Sequence, residues 1–156
     1  MKVGFDIHGV IDDNPNLFSK IINELSEKGF EIHILTGSLI YGDLIKELDS
    51  CKIKYDYLFS ILEYHKKNGT EMWKDNRGWW IDDDLWNKTK SEYCHKHDIN
   101  LHIDDSKVYR KYFKTSFGHI SLSQDIPRIL EIKGDVDFKV LEVLKNNEGY
   151  YKMKFI

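Results

Sequence analysis

The chain alternates between segments of strand-like and helix-like composition, and this alternation constrains its fold more than any other feature. Five segments are predicted strands: 2–7, 30–35, 55–61, 99–103 and 117–122. Four segments are predicted helices: 15–28, 39–49, 82–97 and 135–145. Strands that alternate with helices pair in parallel through right-handed crossovers, with helices on both faces of the sheet. We therefore predict an α/β fold, a three-layer sandwich with a central parallel sheet of about five strands.

The size and composition of the chain fit one globular domain, which we place at residues 1–156. Of the 156 residues, 41% are hydrophobic and 31% are charged, and a chain of this size buries enough surface to fold without disulfides. The net charge of −3 argues against a broad nucleic-acid-binding surface, although it leaves room for a local basic groove. Cys51 and Cys94 have no metal or redox spacing, so we expect two reduced thiols.

The sequence predicts neither a leader peptide nor a membrane-spanning segment. The apolar run at the N-terminus is short and is interrupted by Asp6, unlike the apolar region of a signal peptide. No apolar stretch approaches the ~20 residues that a helix needs to span a bilayer. We therefore expect a cytoplasmic protein with no membrane partner.

Acidic and hydroxyl side chains lie where several of the predicted strands end. Asp6 ends the first strand, Thr36 follows the second, and Asp104 and Asp105 follow the fourth. Ligands of open α/β sheets bind at the carboxyl ends of the strands, so we predict that these residues converge on one site. A carboxylate can attack phosphorus and form an aspartyl-phosphate, and Mg2+ prefers carboxylate and carbonyl oxygens as ligands.

Residues 5–12 (FDIHGVID), 34–37 (ILTG) and 101–106 (LHIDDS) each combine a hydrophobic strand with polar residues at its end. Residues 5–12 resemble the first motif of the haloacid dehalogenase (HAD) superfamily of hydrolases, in which a strand is followed by D-x-D-G-(T/V). Residues 34–37 are similar to motif two of that superfamily, a strand ending in Thr or Ser, and residues 101–106 are similar to the paired-acid form of its fourth motif. The resemblance extends over roughly residues 1–122 and implies a HAD-like, Rossmann-type sheet with a minimal cap.

The resemblance implies a role for each matching residue. Asp6 would be the nucleophile. The implied ligands of a magnesium ion are Asp6, the backbone carbonyl of His8, Asp104 and Asp105. The implied contacts to the phosphoryl group come from Thr36, Gly37 and Ser38.

The superfamily also uses a lysine upstream of the fourth motif, and two lysines lie in the right region. Lys90 follows Trp86 by four residues and precedes Cys94 by four, so it shares a helical face with residues that are expected to pack inward. Lys88 lies off that face. We therefore predict that Lys90, and not Lys88, reaches the phosphate and shields Asp6.

His8 stands where the superfamily has its second acid, the group that protonates the leaving oxygen and then activates water. Histidine titrates near neutral pH, with an unperturbed pKa of ~6.5, so it can serve as both acid and base. Three interpretations follow. His8 acts as a substituted acid/base, the enzyme is slow or acts on esters with a good leaving group, or the domain has lost hydrolysis and retains phosphate or protein binding.

The irregular stretch at about residues 62–81 is too short for a folded cap domain, so we predict a flap-like insertion, either a loop or a hairpin. Trp73, Trp79 and Trp80 either seal this loop on the core, which we favour, or stack on a base or ring. The cations of the segment, Lys66, Lys67, Lys74 and Arg77, suit an anionic substrate, and a solvated loop explains them equally well. The last residues, 149–156, have strand-like composition without a predicted position.

Other functional motifs are weak or missing. His95, His97 and His102 have no supporting cysteine pattern, so a zinc site is not expected. Neither a P-loop nor a dinucleotide-binding glycine motif occurs. The sequence thus predicts a magnesium-dependent phosphatase that acts on a phosphorylated small molecule or on a nucleotide, in which case it would be a nucleotidase. The sequence does not indicate the end of a nucleic acid as substrate. The alternative is a catalytically weak or inactive HAD-like domain that binds phosphate or a nucleotide or serves regulation.

Overall fold

A seven-stranded sheet forms the centre of the protein in the computed structural model, which describes residues 1–121 and 127–156. In chain order, the strands of the described residues are β1 (Lys2–Asp6), β2 (Glu31–Thr36), β3 (Tyr57–Ser60), β4 (Trp73–Asp75), β5 (Gly78–Trp80), β6 (Leu101–Asp104), β7 (Ser116–Ile120), β8 (Arg128–Lys133) and β9 (Tyr151–Phe155). The order across the sheet is β3-β2-β1-β6-β7-β8-β9, and β4 pairs with β5 in a separate hairpin.

Helices lie on both faces of this sheet. They are α1 (Pro15–Glu27), α2 (Gly42–Ser50), α3 (Ile61–Lys67), α4 (Asp83–Lys96) and α5 (Phe138–Lys145). Helices α1, α2 and α5 pack their buried leucines, isoleucines and valines on one large core cluster, which includes Phe5 and Ile34 of the sheet. Cys94 of α4 belongs to a second cluster with Leu35 and Phe117. The predicted α/β architecture, with helices flanking a central and mostly parallel sheet, is confirmed.

The predicted strand number is wrong, because the sheet has seven strands instead of about five. The two additional strands are β8 and β9. β8 pairs with β7 in the antiparallel direction, whereas the other pairs of this sheet are parallel. A strand that pairs in the antiparallel direction needs no crossover helix before it, so the alternation of strands and helices could not predict β8. Without β8, the strand-like tail that forms β9 had no partner. Residue 122, which ends the predicted strand 117–122, lies outside the described residues.

Side-chain caps mark the starts of several helices, and two of the predicted starts differ from the observed ones. Asn14 accepts a hydrogen bond from the Leu17 amide and precedes Pro15 at the start of α1, as predicted. Asp82 accepts from the amides of Asp84 and Leu85 and starts α4. α2 begins at Gly42 and α5 at Phe138, each three residues after the predicted start.

The segment predicted to be irregular from residue 62 contains regular structure. Ser60 accepts from the Glu63 amide and starts α3, which carries the chain to Lys67. The β4–β5 hairpin follows, with Trp73 opposite Trp80. Trp73 and Trp79 do not seal the loop on the core, contrary to the favoured prediction: Trp73 is 50% exposed and Trp79 is 38% exposed, whereas Trp80 is half-buried. Among the described residues, no helix is long and apolar enough to cross a membrane.

Candidate active site

Asp6 and Asp104 end two adjacent strands at the middle of the sheet. β1 and β6 pair in parallel with Phe5 opposite Ile103, so the next residue of each strand is an aspartate. One carboxylate oxygen each from Asp6, Asp104 and Asp105 lie within 4.8 Å of one another. The structure therefore brings together acidic residues that are distant in the chain, and among the described residues this is the group able to hold a metal ion.

Lys90 lies between the two strand-end carboxylates. Its ammonium donates to Asp6 Oδ1 at 2.9 Å and to Asp104 Oδ2 at 2.7 Å, and the residue is only 2% exposed. Burial opposes its charge, but the carboxylates of Asp104 and Asp6 outweigh burial and raise the pKa of Lys90 above its usual value. Lys88 instead lies near Asp84, with 3.6 Å between Nζ and Oδ2, on the outer side of α4.

The two buried carboxyls have opposite pKa shifts because their partners differ. Burial raises the pKa of Asp6 to about 7, with the charge of Lys90 opposing and that of Asp104 reinforcing the rise. Burial acts on Asp104 as well, but Lys90 and a hydrogen bond from His102 hold the pKa of Asp104 well below its usual value. Burial and the charge of Asp104 also raise the pKa of Asp105. Of the two strand-end carboxyls, Asp6 is therefore the weaker acid.

His102 supports Asp104 from within the same strand, a role that the sequence patterns did not indicate. Its Nε2 lies 2.9 Å from Asp104 Oδ2, and its ring stacks on Phe113 with 5.5 Å between centroids. Residues two apart in a strand point to the same face, which is the signal that could have paired His102 with Asp104. The Nε2–H tautomer fits this contact, and Nδ1 has no hydrogen-bond partner among the described residues.

The loop after β2 is held from both sides. Thr36 is fully buried, and its hydroxyl oxygen accepts from the Ser38 amide at 3.3 Å. The Ser60 hydroxyl donates to the Ser38 carbonyl at 2.6 Å. Gly37 lies directly against the Trp86 indole, so that a Cβ at this glycine would come within 2.5 Å of the ring. The loop is thus fixed by contacts within the protein, and Gly37 and Ser38 line one cavity with the aspartates.

A turn at Ile7–Ile11, closed by a hydrogen bond from the Asp12 amide to the Ile7 carbonyl at 3.0 Å, follows β1 and carries His8 to the rim of the site. Gly9 adopts a φ of +83°, and a Cβ there would overlap the Asp105 carboxylate, so both backbone conformation and space require glycine. The Gly9 amide donates to Asp12 Oδ1 at 2.7 Å. His8 Nδ1 lies 3.1 Å from Asp12 Oδ2, and Nε2 lies 3.4 Å from the Ser38 hydroxyl.

A cavity of about 320 Å³ opens above these groups. Seven of the eight predicted site residues line it: Asp6, His8, Gly37, Ser38, Lys90, Asp104 and Asp105. The eighth, Thr36, is buried next to them. Trp86 and Tyr109 also line the cavity, and Trp86 Nε1 donates to the Tyr109 hydroxyl at 2.8 Å. Neither aromatic residue was predicted for the site, because no motif surrounds them.

This arrangement has the chemistry of a site for an anion together with a hard cation. Oxygen ligands converge on one point, and a buried ammonium and backbone groups lie beside it. His95 and His97 lie at the far end of α4, where His97 packs on Tyr93. The chain matches no protein-family model, and no curated protein matches its sequence. Its function therefore has to be inferred from the chemistry of the site.

Proposed function

We propose that the protein is a magnesium-dependent phosphatase of the HAD type that acts through an aspartyl-phosphate on Asp6. One observation carries this proposal: Lys90 bridges two buried carboxylates that lie at adjacent strand ends, at the floor of a cavity. Burying three charged groups is costly for a fold. Such a cluster at the ligand-binding edge of a sheet is better explained by catalysis than by stability.

The residues present fit a magnesium ion. Ionised carboxylates of Asp6, Asp104 and Asp105 with the Lys90 ammonium leave an excess of two negative charges, which a divalent cation balances. Their oxygen atoms, with the backbone carbonyl of His8, are the hard ligands that Mg2+ takes. Bound magnesium would neutralise the phosphoryl oxygens and keep Asp6 ionised, despite the burial that raises the pKa of this residue.

Asp6 would act as the nucleophile. It ends β1 and lines the cavity, and Lys90 holds one of its carboxylate oxygens, Oδ1. The other oxygen, Oδ2, is the one that we assign to the attack on phosphorus. Fixing the carboxylate before the substrate binds lowers the entropic cost of reaching an in-line geometry.

The loop after β2 and Lys90 would hold the transferring phosphoryl group. The hydroxyl hydrogen of Thr36 and the backbone amide of Gly37 would be the donors, and the ammonium adds positive charge, while the Ser38 amide donates to Thr36 Oγ1 and so orients that hydroxyl. Donors that are already oriented stabilise the charge of a phosphoryl transition state without reorganising. The contacts that fix this loop, from Ser60 and Trp86, are therefore part of the proposed phosphate site.

His8 would transfer the protons. Asp12 accepts from Nδ1, which selects the tautomer and leaves Nε2 free to exchange a proton near Ser38. The side chain is 52% exposed, at the mouth of the cavity through which the leaving group must depart. In this position a protonated imidazole can donate to the leaving oxygen, and a neutral one can accept from the water that hydrolyses the aspartyl-phosphate.

A screen of phosphate esters with Mg2+ tests the proposal, with the Asp6→Asn variant as the blank. We expect phosphate release that requires Mg2+ and disappears in the variant. Binding of Mg2+ and phosphate compounds without release from any ester contradicts the proposal and supports the binding or regulatory alternative.

The presence of His8 at the acid position is the feature that favours this alternative. The His8→Asp variant separates the two functions. A large gain in activity from a negligible start supports a domain that has lost hydrolysis, whereas an unchanged or lower rate identifies His8 as a working acid/base.

A further inference from the structure

The β4–β5 hairpin exposes large aromatic side chains that do not belong to the hydrophobic core. It has three residues in each strand, and Trp73 and Trp79 are exposed to 50% and 38%. A two-stranded hairpin of this size is marginal by itself. Exposed indoles on such an element are typical of a surface that binds a ligand.

The tip of the hairpin is ordered by its own side chains. Asp75 Oδ1 accepts from the Arg77 amide and from Trp80 Nε1, both at 2.8 Å. The Arg77 guanidinium lies 4.9 Å from the centre of the Trp80 ring, and Lys74 Nζ lies 5.7 Å from that of Trp79. The aromatic side chains are thus positioned before any ligand binds, which reduces the entropic cost of binding.

Strand register separates the two faces of the hairpin. Trp73 lies opposite Trp80, and Lys74 lies opposite Trp79. Side chains alternate along a strand, so Lys74 and Trp79 share the face on which Met72 and Ile81 lie. We call the Lys74–Trp79 face the inner face and the Trp73–Trp80 face the outer face.

The base of the inner face is joined to the wall of the proposed phosphate site by a hydrophobic cluster. Met72 and Ile81, at the base of the hairpin, pack in one cluster with Leu39 and Trp86. Leu39 follows Ser38 of the loop after β2, and Trp86 lines the cavity above Asp6. The same cluster therefore connects the base of the hairpin to the wall of the site.

We propose that the inner face binds the base of a nucleoside phosphate while its phosphoryl group lies at Asp6. This inference rests on the proposed function. The indole of Trp79 can stack on the base, and the ammonium of Lys74 beside it attracts the nucleotide, whose negative charge lies on its phosphate. A free nucleotide and the terminal nucleotide of a single strand present the same chemistry.

Calorimetric titration tests this assignment in the Asp6→Asn background, in which turnover does not interfere. The ligands, each with Mg2+, are adenosine monophosphate, ribose 5-phosphate and an oligonucleotide with a terminal phosphate. We expect the nucleotide to bind at least tenfold more tightly than the sugar phosphate. The Trp79→Ala change should remove this advantage, and Trp79→Phe should keep most of it.

Trp73→Ala is the matched control, since it removes an indole from the outer face of the same hairpin. We expect it to change nucleotide affinity less than twofold. Equal affinities for nucleotide and sugar phosphate, or equal losses from the two alanine variants, overturn the inference and leave the phosphatase proposal intact. Tighter binding of the oligonucleotide than of the mononucleotide supports the strand-end form of the ligand. If none of the phosphate compounds binds and the wild-type protein hydrolyses no ester, both proposals fail.

Discussion

Charged side chains are buried in the cluster at the ends of β1 and β6, whereas they are exposed in the β4–β5 hairpin. In the cluster, Lys90 is buried and bonds Asp6, 84 residues away in the chain. In the hairpin, Asp75 and Arg77 are exposed, and their side-chain bonds reach at most five residues along the chain. The buried cluster is therefore a product of the whole fold, whereas the hairpin is organised locally. Substitutions in the buried cluster should affect both the stability of the fold and the rate of phosphate release. Substitutions in the hairpin should affect only the binding of the nucleotide.

The largest expected effect is that of Asp6→Asn on phosphate release. Removing the nucleophile should lower the rate by about 10⁴-fold, as for other residues that form the covalent intermediate. A continuous phosphate assay at saturating Mg2+ measures this. Asp105→Asn serves as the comparison, because the nucleophile and Asp104 remain, and its loss should be smaller. If Asp6→Asn keeps more than a tenth of the wild-type rate, Asp6 is not the nucleophile.

Lys90→Met should destabilise the protein by about 3–5 kcal/mol, since it leaves two buried carboxylates without their cation. Lys88→Met is the matched control on the same helix, and its surface ion pair with Asp84 is worth only about 0.5 kcal/mol. Urea unfolding of the metal-free proteins gives both values. Similar losses for the two variants would show that the buried bridge contributes no more than an exposed pair.

Without metal, the contribution of Asp6 to the stability of the fold should fall as the pH rises from about 4 to 7. The pKa of Asp6 is raised from 3.8 in the unfolded chain to about 7, so the folded state binds this proton more tightly and loses the advantage as pH passes through 7. The difference between wild type and Asp6→Asn isolates the effect, with a slope of at most about 1.4 kcal/mol per pH unit.

Mg2+ should stabilise the wild-type protein more at pH 8 than at pH 5, because the ion competes with the Asp6 proton. Thermal unfolding with and without the ion measures this difference. A metal effect that is independent of pH would place the ion away from Asp6.

Gly37→Ala should cost about 1–3 kcal/mol of stability, because the new methyl group meets the Trp86 indole at 2.5 Å. Displacing that ring also disturbs its bond to Tyr109, so the KM for the ester should rise. Gly42→Ala is the control, since a Cβ there meets nothing within 4 Å, and it should change stability by less than about 1 kcal/mol. Equal unfolding midpoints for the two variants would mean that the loop tolerates a shift of Trp86.

The smallest expected effect is that of Trp79→Ala on stability. The side chain is largely outside the core clusters, so we expect a change within about 0.5 kcal/mol. Urea unfolding checks this value. A larger loss would indicate that the hairpin is part of the cooperative fold and would weaken the contrast between the two regions.

The buried cluster could be predicted from the sequence, because parallel strands place their last residues at one edge. Asp6 and Asp104 follow from that rule, and helical periodicity selected Lys90 over Lys88. His102 could have been added, since it lies two residues before Asp104 on the same strand face. Trp86 was assigned to the inward face of its helix, but its contact with Gly37 depends on how α4 crosses the sheet, which no local pattern records.

Other parts of the fold could not be predicted because their partners are tertiary. β8 joins the sheet in the antiparallel direction and so lies outside strand–helix alternation, and β9 depends on β8 for its position. The exposure of Trp79 was predicted wrongly, because an aromatic residue has the same local pattern whether it covers a core or faces solvent. The hairpin could be located in the chain from its composition. Which of its side chains share a face could be assigned only from the register of β4 with β5.

A chemical trap of the phosphorylated enzyme tests the central claim most directly. Wild-type protein is mixed with Mg2+ and a hydrolysed ester, quenched in acid during turnover, and digested for mass spectrometry. We predict one added phosphoryl group on the N-terminal peptide, located at Asp6 and absent from the Asp6→Asn protein. Rapid turnover with no phosphorylated peptide, or with the group on another residue, would contradict the assignment of Asp6 as nucleophile.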